Sequence, residues 1–114
     1  MAIKANPAGI DYAKELIQKN EYVKDSDWGE AQPSRERENN FIDRNGYEEF
    51  GKWHLAIDTE VGEGTKSRYK FPYGDLQKVH RSGVIAAKQR AAEWDHTDVL
   101  EAADSLLGCL PDSN

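Results

Sequence analysis

A chain with one cysteine, Cys109, has no intramolecular disulfide to rely on and no cysteine cage for zinc. Such usage is expected of a protein kept in a reducing compartment. Long apolar runs are also missing, and the longest fall far short of the roughly 20 residues needed to span a bilayer. The first residues, Met1-Ala2-Ile3-Lys4-Ala5-Asn6-Pro7, carry no hydrophobic core of the kind a secretory signal needs. The expectation is a soluble cytoplasmic protein with no membrane association. Basic charge is short overall: the net charge is −6 and the calculated pI about 5.0. Wrapping of duplex nucleic acid by the whole surface is therefore disfavoured, because phosphate neutralisation needs a basic footprint.

Eleven aromatic residues, among them Trp28, Trp53 and Trp94, argue for a folded body, since disordered chains lack such large buriable groups. With 38% apolar and 32% charged residues and a mean hydropathy of −0.85, the core must be modest and the surface highly polar. The 114 residues have the size of one domain, so residues 1–114 are read as a single globular unit with 1–6 and 111–114 as flexible ends.

The charges are divided along the chain. Residues 66–90 hold seven of the fifteen basic residues against one acid, Asp75, a local charge of +6. The remainder holds eight basic and twenty acidic residues, a charge of −12. A field segregated in this way can select partners by sign.

The spacing predicts an α+β fold: a small antiparallel hairpin or sheet packed with about four helices. Asn6 and Pro7 open a first helix as cap and first residue, with Ile10, Ala13, Leu16 and Ile17 as its apolar stripe and Asn20 as its stop. Residues 23–33 read as a loop from which Trp28 folds back. Ser34 caps a second, surface-lying helix that Asn45-Gly46 breaks. The period then changes: Trp53, Leu55 and Ile57 alternate with polar neighbours, as do Tyr69, Phe71 and Tyr73 with Arg68 and Lys70. Glycines 62 and 64 between them indicate a hairpin with a long loop, and Pro72 favours an edge strand. Ser82 starts an Ala-rich helix whose face comprises Val84, Ala87, Ala91 and Trp94. A last helix over residues 97–107 carries Val99, Leu100, Ala103, Leu106 and Leu107 and ends at Gly108.

The sharpest candidate site is Lys78-Val79-His80-Arg81-Ser82-Gly83 at the start of the Ala-rich helix. A helix N-terminus offers unpaired N–H groups and partial positive charge, and Gly83 permits close approach of an anion. Arg81 is placed to grip an oxyanion, with Lys78, His80 and Ser82 as further ligand-binding groups. The plainer reading is a solvated turn in which Ser82 caps the helix and Arg81 pairs with an acid. Along residues 68–73 aromatics and cations interleave, as on nucleic-acid-binding sheets. Strand alternation assigns them to opposite faces, so the aromatics are expected in the core.

Catalytic and cofactor motifs are absent. Gly62-Glu63-Gly64-Thr65-Lys66 lacks the phosphate-loop spacing, and His54, His80 and His96 share no metal-ligand spacing. His96 fits instead in the cap of the last helix. There is no GxSxG elbow, Cys109 has no histidine near it in sequence, and Glu48-Glu49 do not face one point on a helix. No cofactor, metal or catalytic residue is expected.

The stretch from Phe71-Pro72-Tyr73-Gly74-Asp75 through Val79-His80-Arg81-Ser82-Gly83-Val84-Ile85-Ala86-Ala87, with the helices after it, resembles a small family of uncharacterised prokaryotic proteins. Trp53 and the acidic segment before it fit the same pattern, so the resemblance covers most of the chain beyond Asp25. A shorter pattern, Pro-x-x-Asp followed by Val-x-Arg and an Ala-rich helix, is similar to segments of phage-encoded proteins. Neither resemblance implies an activity, a cofactor or a residue role. The functional expectation is a binding protein whose basic segment engages an anionic protein or nucleic-acid partner. The alternatives are an acidic mimic of nucleic-acid charge that inhibits a basic partner, and an enzyme on a phosphorylated substrate.

Overall fold

The first helix, α1 (Pro7–Gln18), forms where the sequence places it, with proline at its first position. Asn6 does not cap it through its side chain. Its amide instead donates to the carbonyls of Gly51 (3.0 Å) and His54 (3.1 Å). These carbonyls lie where a helix ends and a strand begins, so a buried amide donor meets acceptors that would otherwise be unsatisfied. The preceding strand β1 (Ile3–Ala5) pairs antiparallel with β3 (His54–Asp58). Residues 3–5 are thus a sheet edge rather than part of a loose end. The structure, a computed structural model, describes residues 2–111; Met1 and residues 112–114, also expected as flexible ends, lie outside the described residues.

Residues 23–33 contain more order than a loop. Strand β2 (Tyr22–Val23) is followed by one turn of helix, α2 (Trp28–Ala31), which Asp27 caps by accepting from the Gly29 N–H at 2.9 Å. Helix α3 (Arg35–Gly51) starts at Ser34, whose hydroxyl accepts from the Arg37 N–H at 3.2 Å. It kinks at Gly46, where φ is +88°, a conformation that glycine alone adopts without cost.

Strand β3 is central in a three-stranded antiparallel sheet of order β1-β3-β4, where β4 is Tyr69–Pro72. A 3₁₀ turn (Lys66–Arg68) ends the long hairpin connection, and β4 with its proline is the edge, as expected. Lying between two strands and under helices, β3 buries His54, Leu55 and Ala56 in succession after the buried Trp53, so its apolar alternation does not mark a half-exposed strand. The aromatics of β4 do not share one buried face either. Tyr69 packs on Phe50 and His54, Tyr73 on Trp53, and Phe71 edge-on to His96. The cause is local: Phe71 has φ +60°, which interrupts the pleat.

A second, parallel pair joins β2 to β5 (Val79–His80), and α4 (Arg81–Glu93) follows directly. Helix α5 (Thr97–Cys109) lies against α4, with Ala87 and Ala91 of one and Val99, Ala103 and Leu106 of the other buried. The small alanines let the backbones approach. Helix α5 runs through Gly108 instead of ending there. The common core gathers Ala13, Leu16 and Ile17 of α1, Leu55 of β3, Val79, Val84 and the α5 stripe. Its radius of gyration, 13.0 Å, is that of a compact domain of this length. Trp94 is excluded from this core: at 67% exposure it is the large apolar side chain left outside among the described residues. Asp95, at φ +56°, turns the chain just after it toward α5. Among the described residues no helix is long and apolar enough to cross a membrane.

Candidate functional site

The turn entering α4 is built around His80, which is 5% exposed and bonded at both ring nitrogens. Nδ1 lies 2.8 Å from the Ser26 hydroxyl, and Nε2 lies 2.8 Å from Asp75 Oδ2. Asp75 Oδ1 accepts from the backbone N–H groups of Gln77 (2.9 Å) and Lys78 (2.7 Å). Burial opposes ionisation of Asp75, but the His80 bond and these two N–H groups outweigh it and hold the carboxyl below its ordinary pKa. Ser82 does not cap the helix, which begins one residue earlier with His80 in the cap position. Its hydroxyl instead lies 2.8 Å from that of Ser26.

This arrangement closes the expected anion site. The open side of Gly83 is occupied: a Cβ there would sit 2.7 Å from the Tyr73 carbonyl oxygen and 2.8 Å from Trp28 Cζ3. Gly83 therefore serves helix packing rather than ligand approach. Arg81 is half-buried, Lys78 is exposed, and His80 is turned inward. Of Lys78, His80, Arg81, Ser82 and Gly83, the structure joins His80 and Ser82 in one network through Ser26 and does not converge all five on one point. The Ser26–His80–Asp75 chain holds the segment ahead of α2, and the Trp28 ring lies 6.1 Å from that of His80.

Trp28 also borders a groove of about 570 Å³ between β4 and α4. Phe71 and His96 meet edge-on at one side, Arg90 lies in the last turn of α4 with Trp94 just past its end, and Lys70 of β4 also borders the space. Ala86 and Ala87 keep the helix side shallow. Tyr69, Lys70, Phe71 and Pro72 of the edge strand all border this groove, and Phe71 does so with a positive φ. Lys70 and Phe71, which alternation assigns to opposite faces, thus both border this groove, while the Tyr69 ring packs on Phe50 and His54. No carboxylate lines the groove, although 21 of the 114 residues are acidic. A second cavity of about 490 Å³ mixes Lys52 and Arg68 with Glu48 and Glu63 and has no such bias.

The basic segment does not form one surface. Lys66 pairs with Glu38 at 3.0 Å and Lys88 with Asp104 at 2.6 Å, while Arg68 donates to the Val61 carbonyl at 2.7 Å. Lys70 and Arg90 are the members that reach the groove. Ser26, Trp28 and Trp94 were missed as site residues by sequence reasoning; the one available signal was the interleaving of aromatic and basic residues around Lys70. Among the described residues no group of histidines, cysteines and carboxylates could hold a metal ion. No family model, curated protein or solved structure matches the chain.

Proposed function

We propose that this protein binds an anionic partner in the groove between β4 and α4. The observation that supports this most directly is a cleft lined by no carboxylate, bordered by Lys70, Arg90, the exposed Trp94 and half-buried rings, on a protein of net charge −6. In water a small cluster of cations attracts an anion weakly, but rings that exclude water on its flanks strengthen the attraction. The Ser26–His80–Asp75 chain acts here as a positioning clamp for Trp28 and not as a nucleophile relay, since none of its three members borders the groove.

Retention on a phosphate-bearing matrix tests the proposal. The protein should be held at low salt and released as salt screens the contacts, while the Lys70→Glu, Arg90→Glu double variant flows through. Passage of the unaltered protein at low salt contradicts it and leaves the acidic remainder, a mimic of nucleic-acid charge, as the better reading.

A further inference from the structure

We infer that the anion is a single-stranded nucleic acid whose bases stack on the rings of the groove, an inference that rests on the anion-binding reading above. Four features of the cleft converge on it. Trp94 is two-thirds exposed where it borders the cleft, so most of its surface is accessible to a stacking partner. The half-buried rings of Trp28, Phe71 and His96 border the same space, so more than one ring is at hand beside Trp94. Lys70 and Arg90 lie among these rings, so phosphates and bases can be met together, as in sequence-tolerant single-strand sites. Phe71 holds a left-handed backbone conformation, which a bulky residue adopts only under strain, and it borders the cleft beside Lys70.

A duplex fits less well. Its base faces are already stacked, and the acidic remainder of the surface repels a long polyanion. With two cations engaged, the salt dependence should be shallow: a log–log slope of roughly −1.4, at about −0.7 per phosphate contact on a single strand.

The test is titration of the full chain, followed by tryptophan fluorescence, with three probes at low salt. These are an oligothymidylate of about ten nucleotides, an abasic deoxyribose-phosphate oligomer of the same length, and thymidine monophosphate. The oligothymidylate should quench emission and bind at least about tenfold more tightly than the abasic oligomer. Trp94→Ala should reduce that preference, weakening oligothymidylate binding more than abasic binding. Equal affinity for the two oligomers overturns the stacking inference while the anion-binding reading stands. Equal affinity for the mononucleotide and the oligomer overturns the assignment to a strand in favour of a free nucleotide. No binding of any probe overturns both readings.

Discussion

Two parts of one basic segment end in opposite states. The turn at residues 78–83, where a helix start, a glycine and three potential cations coincide, is closed: His80 is bonded on both sides and Gly83 is covered by Trp28. The flanking positions Lys70 and Arg90, which form no motif, border an open cleft beside Trp94 and Phe71. Local anion-binding chemistry does not make a site when the surrounding fold uses those groups for itself. Here the motif-like turn carries stability, and the flanking positions border the open cleft.

Acid should reveal the largest difference between buried scaffold and open groove. Burial of His54, partly opposed by its bond from Nδ1 to the Phe50 carbonyl at 3.0 Å, lowers its pKa from 6.5 to about 4. The unfolded chain then takes up a proton that the folded chain refuses. Stability should fall by roughly 3 kcal/mol as pH drops from 6.5 to about 4. Asp75 acts in a lower window. Its folded pKa is depressed, so its contribution is full above 3.8 and disappears as pH falls through the folded value. Denaturation midpoints across pH check this, with His54→Gln flattening the upper window only.

Breaking the clamp comes next in size. His80→Ala leaves Asp75 and Ser26 without their ring partner and should destabilise the fold by about 1–3 kcal/mol in urea denaturation. It should also weaken anion binding through Trp28, although His80 does not border the groove. The smallest stability effect belongs to the groove: Trp94→Ala should change stability by less than about 0.5 kcal/mol, because the ring is mostly in water. A strong stability loss from Trp94→Ala would return that ring to the core face where its helical spacing assigned it.

Much of the fold was legible because long periodic elements announce themselves. The stripes of α1 and α5, the Ser34 cap, the hairpin and the edge position of Pro72 all follow from spacing and backbone chemistry. The two-residue strands β2 and β5 were not legible, since two residues carry no period. The groove was hidden for a different reason. Alternation separates Lys70 from Phe71, and no local signal marks either the positive φ of Phe71 or the groove that both residues border. Trp94 was read into the apolar face of α4, but it stands at the helix end, where the chain turns away at Asp95 before α5 can cover it.

The central claim is that the open groove, and not the motif-like turn, holds the anion. Fluorescence titration with oligothymidylate at low salt, comparing Lys70→Glu with Lys78→Glu, tests it most directly, because each variant reverses one charge in the same basic segment. Lys70→Glu should weaken binding roughly tenfold or more, and Lys78→Glu should change it by less than about threefold. Equal losses, or a larger loss from Lys78→Glu, would contradict the claim.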